Sequence, residues 1–278
     1  MCIRDRRLSI ACLQTCPKAT IGEAIDEALP IAEEAVEAGA DILFLPEYCS
    51  GLVSKEGALK PPAAPEADHP MVSLFQQFAK RTKVCVSLGS VAVSTASDKI
   101  INRAIMINAD GKIISRYDKI HLFDVQISPN EIYRESATVI AGDNASIINF
   151  DHVKLAHVIC YDLRFPQLFR DLAQAGAEVI AVPAAFIKQT GKAHWHVLNR
   201  ARAIENGCFI VAPCAVGEIP GGGESYGHSL IVNPWGEVLA DGKEERGFIQ
   251  ASINLDEVKD VRARIPSLSH DQSYKISS

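Results

Sequence analysis

The sequence lacks several features that would define its class at once. No apolar run approaches the roughly 20 residues that a membrane-spanning helix requires. There is no block of basic residues and the formal net charge is −6, so neither nucleic acid nor a membrane is an expected partner. Internal repeats and low-complexity linkers are also missing. The 278 residues, 47% hydrophobic and 22% charged, have the composition of an ordinary globular protein with one large domain or two small ones.

The eight cysteines form neither a disulfide framework nor a metal motif. No pair has the C-x2-C spacing of a structural zinc site, and most lie within apolar, strand-like runs. Because no signal-peptide pattern is present, the thiols are interpreted as reduced and the protein as cytoplasmic. His194 and His196 lie two residues apart on a predicted helix, where side chains point in different directions, so no metal site is expected there.

The opening segment MCIRDR, residues 1–6, has no amphipathic pattern and precedes the first strand abruptly. It is interpreted as a non-native leader, with a short native extension as the alternative. Fold reasoning therefore begins at residue 7.

Apolar runs alternate with amphipathic stretches along the rest of the chain. The predicted helices are residues 21–39, 71–82, 166–175 and 193–206. The predicted strands are residues 8–14, 41–47, 84–93, 178–182 and 208–213, a hairpin within 103–122, a strand pair within 145–160, and closing antiparallel strands after residue 228. Helix-separated strands with added hairpins predict an α/β domain with mixed sheets, and periodicity leaves open whether there is one sheet or two.

Three reactive residues stand at the ends of predicted strands, where catalytic groups of α/β proteins gather. Glu47 ends ILFLPE, Lys119 follows IISRYD, and Cys160 ends LAHVIC. Each residue alone is weak evidence for catalysis. A glutamate such as Glu47 is often a solvated loop charge, a lysine such as Lys119 is usually on the surface, and a cysteine such as Cys160 is most often in the core. Together they form a chemical unit: the carboxylate can take the thiol proton, while the ammonium lowers the thiol pKa and stabilises an oxyanion.

The turn after Cys160 adds to this interpretation. It leads into the predicted helix 166–175, whose start suits Pro166. A thiolate near that helix start would gain from the helix dipole. The backbone N–H of Tyr161 is expected to complete an oxyanion hole, as in other strand–nucleophile–helix elbows.

The segments LFLPE, RYDKIHLFD and ICYDLRFP resemble, in order, the three signature segments of the nitrilase superfamily, the carbon–nitrogen hydrolases. The resemblance implies that Glu47 is the general base, Lys119 the oxyanion stabiliser and Cys160 the nucleophile. It also implies a second active-site glutamate, which corresponds to Glu135 in YRES, with Glu131 in SPNEIY as the alternative.

The resemblance extends over essentially the whole chain and implies one domain over residues 7–278. It implies a four-layer α-β-β-α sandwich, which answers the question of one or two sheets by analogy. It further implies a homodimer, paired through helices that flank the active-site region, and no metal or organic cofactor.

Two longer segments, PAAF to ENGCF and YGHSLIVNPWGEVLA, resemble the branch of the family that holds deaminated glutathione amidases and omega-amidases, with a modest preference for the former. This implies hydrolysis of a small, carboxylate-bearing amide to acid and ammonia through a thioester. Arg164 is expected to bind that carboxylate through its planar fork, or else to pair with Asp162. The resemblance to this branch also implies that Phe186 and Thr190 lie in the pocket with Tyr161, with core packing as the alternative for Phe186.

Other interpretations stay open at this stage. Within the same chemistry, the rivals are an omega-amidase acting on 2-oxoglutaramate, a nitrilase and an N-carbamoyl amidase. From another class, the rival is a catalytically silent scaffold protein, which the intact Glu47, Lys119 and Cys160 disfavour. The glycine-rich stretch IPGGGES, residues 219–225, lacks the Gly-Lys-Ser/Thr ending of a P-loop and is expected at the pocket rim.

Overall fold

The computed structural model describes residues 6–55, 58–129 and 131–277. Most of the segment interpreted as a leader, residues 1–5, lies outside the described residues. Its last residue, Arg6, forms an ion pair with Glu178 at 2.6 Å.

Two six-stranded mixed sheets form the centre of the molecule. The first sheet contains, in spatial order, Gly247–Asn254, Arg7–Gln14, Ile42–Phe44, Cys85–Ser94, Ile100–Ile107 and Ile113–Asp118. The second sheet contains Ile147–Phe150, Val153–His157, Val179–Ala181, Phe209–Ala212, Leu230–Val232 and Val238–Asp241. The three strands that begin with Arg7, Ile42 and Cys85 run parallel, as do those that begin with Val153, Val179 and Phe209.

Helices cover the outer face of each sheet. Helices Ile21–Glu37 and Pro70–Thr82 pack on the first sheet, and helices Pro166–Gln174 and His196–Asn206 pack on the second. The inner faces of the two sheets bury a third cluster that includes Ile10, Phe44, Met106, Leu155, Phe209 and Val211. The expected four-layer α-β-β-α sandwich is therefore confirmed.

The predicted elements form, with shifted ends. Helix Ile21–Glu37 begins at a capping box, because Thr20 accepts from the Glu23 N–H while the Glu23 carboxylate accepts from Thr20. The predicted helix 193–206 is preceded by a π-helical turn, Gly191–Trp195, so regular α-helix begins only at His196.

Several short elements were not anticipated from the sequence. The additional helices are Lys188–Thr190 and Asp256–Arg264, with 3-10 turns at Glu66–Asp68, Glu135–Ala137, Cys160–Arg164 and Ser267–Ser269. The additional strands form three hairpins, Ser54–Lys55 with Ala58–Leu59, Asp124–Ser128 with Glu131–Arg134, and Val216–Glu218 with Glu224–Tyr226. Within the described part of the chain, no helix is both long and apolar enough to span a bilayer.

The strand directions bring the reactive residues together. Glu47 follows strand Ile42–Phe44 of the first sheet, and Cys160 follows strand Val153–His157 of the second. Lys119 directly follows strand Ile113–Asp118, and its N–H donates to the Asn102 carbonyl at 3.0 Å. The two sheets thus supply opposite sides of one site.

Candidate active site

A cavity of about 400 Å³ opens where these strands end. All eight residues proposed from the sequence line it: Glu47, Lys119, Glu135, Cys160, Tyr161, Arg164, Phe186 and Thr190. Its wall also contains the unanticipated hairpin at 131–134 and the short strand at Ser54. The structure therefore brings together residues that are far apart in the sequence.

Cys160 stands on a sharp backbone turn at the end of its strand. Its φ is +45°, a left-handed conformation that costs energy for a residue other than glycine. The Cys160 N–H donates to the Pro183 carbonyl at 2.9 Å, which fixes the turn to the neighbouring strand end. The chain continues as the 3-10 turn Cys160–Arg164, and the next helix begins at Pro166, where the sequence predicted its start.

Glu47 is buried, with 4% of its side chain exposed. One carboxylate oxygen, Oε2, accepts from the Ala185 N–H at 3.0 Å. The other, Oε1, accepts from Lys119 Nζ at 2.8 Å and Asn102 Nδ2 at 2.9 Å. The charge of Glu47 acts on the pKa of the Cys160 thiol, and the two side chains line the same cavity, as a general base and its nucleophile must.

Three influences act on the pKa of the Cys160 thiol. Burial raises the pKa of Cys160 well above its ordinary value, the Glu47 charge adds to this, and Lys119 opposes it without prevailing. Lys119 lowers the pKa of Cys160, as the sequence predicted, but desolvation and the adjacent carboxylate both disfavour a second negative charge and outweigh the ammonium. The raised pKa favours the neutral thiol form of Cys160.

Lys119 is held between two carboxylates. Its Nζ donates to Glu47 Oε1 at 2.8 Å and to the two oxygens of Glu135 at 3.1 and 2.9 Å. Burial lowers the pKa of Lys119, but the charges of Glu135 and Glu47 outweigh burial and raise the pKa well above its ordinary value. The amine therefore stays charged.

Glu135 lies in the site, directly after a short strand. Tyr133 and Arg134 belong to strand Glu131–Arg134, and Glu135 starts the following 3-10 turn. Its Oε2 also accepts from the Phe123 N–H at 2.6 Å, which fixes the carboxylate beside Lys119. Glu131 begins the strand, and its side chain lies outside the described part of the structure.

Asp162 ties the nucleophile turn to the lysine strand. It is fully buried and accepts from the Ile159 N–H at 2.8 Å, Tyr117 Oη at 2.7 Å and the His121 N–H at 2.9 Å. His121 Nδ1 lies 2.7 Å from the same carboxylate. Asp162 thus serves the backbone around the site, and the alternative that it pairs with Arg164 was wrong.

Arg164 instead lines the pocket, and no carboxylate of the described residues forms an ion pair with it. Its guanidinium lies over the Phe186 ring at 5.4 Å, and its NH1 is 3.3 Å from His194 Nδ1. Phe186 packs on Trp195, which is fully buried and donates from Nε1 to the His228 carbonyl at 2.7 Å. Trp195 is therefore a packing residue.

The glycine-rich stretch forms the turn of hairpin Val216–Glu218 with Glu224–Tyr226, and Gly221, Gly222 and Gly223 line the pocket. At Gly221 φ is +89°, and a Cβ would lie 1.9 Å from the Ser54 carbonyl oxygen. Glycine is required there by this close approach, which agrees with a rim position.

Another titratable cluster lies outside the pocket wall. His196 Nε2 and His228 Nδ1 lie 3.3 and 2.9 Å from the Asp241 carboxylate, and the three residues have the spacing of a metal site. Lys243 Nζ also donates to Asp241 at 2.7 Å and compensates its charge. The chemistry of the pocket needs no group from this cluster.

The pocket thus brings a thiol, a carboxylate and a buried ammonium together in a four-layer sandwich. The family model described as carbon-nitrogen hydrolase matches residues 9–263, and the chain belongs to this family, whose members hydrolyse carbon–nitrogen bonds.

Among curated relatives, a deaminated glutathione amidase of Synechocystis sp. (strain PCC 6803 / GT-S) is 38% identical over 266 residues, covering 94% of this chain and 96% of the relative. A deaminated glutathione amidase of Yersinia enterocolitica is 33% identical, covering 96% of this chain and 94% of the relative. Among solved structures, the C. elegans NitFhit protein matches with a TM-score of 0.88 and 31% identity, over 96% of this chain and 66% of NitFhit.

Proposed function

We propose that this protein is an amidase that hydrolyses the terminal carboxamide of a small, carboxylate-bearing substrate, of the deaminated glutathione type, with Cys160, Glu47, Lys119 and Glu135 as its catalytic residues. The observation that carries the proposal is the placement of the Cys160 thiol against Glu47, with Lys119 charged beside it in the same pocket. The sulfur, a base and an oxyanion stabiliser then lie within reach of one amide carbon.

In the first half-reaction, the Cys160 sulfur attacks the amide carbon as Glu47 accepts the thiol proton. Lys119 and the Tyr161 N–H stabilise the oxyanion. Glu47 then returns the proton to nitrogen, and the carbon–nitrogen bond breaks. Ammonia is released, and the acyl group remains on Cys160 as a thioester.

In the second half-reaction, water attacks the thioester carbon. Glu47 takes a proton from the water, the carbon–sulfur bond breaks, and the proton returns to sulfur. The acid product and the free thiol result, and no cofactor is required by this balance.

The substrate side of the proposal rests on Arg164. Its planar fork points into the pocket without a carboxylate partner among the described residues, which suits an anionic amide. Phe186 supplies an apolar wall, and Thr190, whose hydroxyl donates to the Ile187 carbonyl at 3.3 Å, supplies a polar group. Curated relatives named deaminated glutathione amidase support this substrate class.

We also propose that the protein is a cytoplasmic homodimer. Its cysteines from Cys12 onward are free thiols, as expected in a reducing compartment. Val197 and Ile204 on helix His196–Asn206 are 66% and 53% exposed, beside Trp235 at 45%. Size-exclusion chromatography with light scattering tests this: wild type should elute as a dimer and Ile204→Glu as a monomer, whereas a monomeric wild type contradicts it.

The central experiment measures ammonia release from deaminated glutathione, 2-oxoglutaramate, N-carbamoyl amino acids and simple nitriles. The proposal expects deaminated glutathione to have the highest kcat/KM. Preference for 2-oxoglutaramate would move the protein to the omega-amidase type, and preference for a nitrile or carbamoyl substrate would reject the amidase assignment. Absence of turnover on the whole panel would favour a scaffold role.

A further inference from the structure

Asn102 occupies an unusual place behind the active site. It is fully buried in the middle of strand Ile100–Ile107. Its side-chain Nδ2 donates to Glu47 Oε1 at 2.9 Å and lies 3.4 Å from Glu135 Oε1, while its backbone carbonyl accepts from the Lys119 N–H at 3.0 Å. One residue therefore contacts both carboxylates and the backbone of the lysine, yet it does not line the cavity where substrate would bind.

The charges of this centre explain why such a contact matters. Glu47 and Glu135 carry two negative charges against the single positive charge of Lys119, all three nearly excluded from water. Among the described residues, the other titratable groups that face them are uncharged: the Cys160 thiol beside Glu47, and the Tyr48 hydroxyl, 3.3 Å from Glu135. A further neutral thiol, Cys214, lies within electrostatic range of Glu47. Two carboxylates that share one ammonium repel each other, and a neutral donor that bonds to both of them reduces that repulsion.

The Asn102 amide offsets this repulsion without adding charge, because it donates hydrogen bonds to both carboxylates. A primary amide has two N–H donors on one nitrogen, so it can serve two acceptors at once. Both acceptors here are the oxygens that also face Lys119. The amide oxygen of Asn102 has no partner among the described atoms, so the donor end provides the recorded hydrogen bonds of this side chain.

We propose that Asn102 is a positioning residue that holds Glu47 and Glu135 ionised on Lys119 and thereby sets the lower pH limit of catalysis. The inference rests on the proposed role of Glu47 as general base. Asn102 acts through the carboxylates rather than on the substrate, so its loss affects kcat and the pH profile and leaves KM nearly unchanged.

Two substitutions separate this role from simple packing. Asn102→Ala removes the donor, so kcat should fall by about tenfold or more and the acid limb of the kcat/KM profile should move to higher pH. Asn102→Asp keeps the volume but adds a third carboxylate, so it should lower kcat further than alanine does. A packing role predicts the reverse order, because the aspartate fills the space that alanine leaves empty; that order, or an unmoved acid limb in Asn102→Ala, overturns the proposal.

Asn206→Ala provides the matched control. Asn206 is equally buried, donates from Nδ2 to the Arg202 carbonyl at 2.9 Å and leaves its amide oxygen without a recorded partner, but it lies at the end of helix His196–Asn206. Its variant should match Asn102→Ala in thermal destabilisation and keep the wild-type pH profile. A shifted profile in Asn206→Ala would mean that the shift reports loosened packing, which also overturns the proposal.

A second readout needs no substrate. The rate of Cys160 alkylation by iodoacetamide, followed by mass spectrometry of the peptide, should show the same upward displacement of its acid limb in Asn102→Ala. If wild type hydrolyses no amide, the proposed function fails while this measurement still tests Asn102. If wild type is an active amidase and Asn102→Ala alkylates with the wild-type pH profile, the inference about Asn102 fails alone.

Discussion

Two parts of the pocket differ in how their charges are compensated. The proposed catalytic floor, defined as Glu47, Lys119, Glu135 and Cys160 with Asn102 behind them, is nearly excluded from water, and its ions are bonded to one another at 2.8 to 3.1 Å. The pocket rim is defined as Arg134, Arg164, Thr190 and residues 219–224. It is more exposed to solvent than the floor and contains two arginines. In Arg164 the rim has a guanidinium without a carboxylate partner among the described residues. The floor thus pairs its charges without a ligand, whereas the rim presents a guanidinium that the proposed anionic substrate would pair.

The largest expected effect removes the nucleophile of the floor. Cys160→Ala should abolish turnover, because no thioester can form, while substrate should still bind at the intact rim. Mass spectrometry of wild type with a slow substrate should reveal an acyl adduct on Cys160. An adduct on Cys49, Cys208 or Cys214 would reject the assignment; burial raises the pKa of each of these thiols to about 12, which makes them poor nucleophiles.

The next effect removes one charge from the floor. Glu135→Gln takes away one of the two carboxylates on Lys119 while its amide oxygen can still accept from the Phe123 N–H. Turnover should fall by about a hundredfold or more, as when a positioning or electrostatic group is lost. Iodoacetamide should still modify Cys160, since Glu47 remains beside the thiol.

Glu131→Gln serves as the control for that variant, because Glu131 is the sequence alternative for the same role. It should turn over substrate at nearly the wild-type rate. A dead Glu131→Gln beside an active Glu135→Gln would transfer the role to Glu131.

The main residues of the floor were predicted from the sequence, but their supporting contacts and the thiol pKa were not. Glu47, Lys119 and Cys160 each end an apolar strand and lie in recognisable segments, so their meeting follows from strand order. Asn102 gave no such signal, because it lies within a strand pattern and its partners are 55 and 33 positions away. The net rise in the pKa of the Cys160 thiol could not be predicted from the sequence either, because it depends on how burial and two opposite charges balance in space.

The rim was predicted less completely for a similar reason. Glycine at 221–223 and Arg164 were expected near substrate, but the hairpin at 124–134 and the partner of Asp162 were not. Polar, irregular segments carry weak periodicity, and a buried carboxylate chooses among several donors only once the fold exists.

A smaller effect is expected at the rim. Arg164→Lys keeps the positive charge but loses the fork, so kcat/KM for anionic amides should fall by about tenfold, equivalent to about 1.4 kcal/mol. Hydrolysis of butyramide, which has no carboxylate, should be nearly unchanged. Arg134→Lys at the exposed mouth is the matched control; if it shows the larger loss on anionic amides, Arg134 is the carboxylate partner instead.

The smallest expected effect on activity concerns the interface that holds the floor together. Glu47 and Cys160 come from different sheets, and His157, three residues before Cys160, lies 2.8 Å from the Ser87 hydroxyl across the sheet interface. Burial lowers the pKa of His157 from 6.5 to about 4, so the folded protein keeps this ring neutral over a range in which the unfolded chain takes up a proton. More protons then bind to the unfolded state, and the free energy of unfolding decreases as pH falls from 6.5 to about 4.

The decrease reaches about 3 kcal/mol once the pH is near 4, since each pH unit of difference contributes about 1.4 kcal/mol. His157→Gln cannot take up that proton, so its unfolding free energy, measured in urea at pH 7, 6, 5 and 4, should fall less steeply than that of wild type. His69, whose pKa burial also lowers, contributes in the same direction and is present in both proteins, so the difference between the two curves isolates His157. At pH 7 the ring is neutral in both states, and kcat should remain close to wild type because the floor is untouched. Parallel curves over the whole pH range would mean that the interface between the sheets tolerates a charged ring, and that the two halves of the floor are held in place by other contacts.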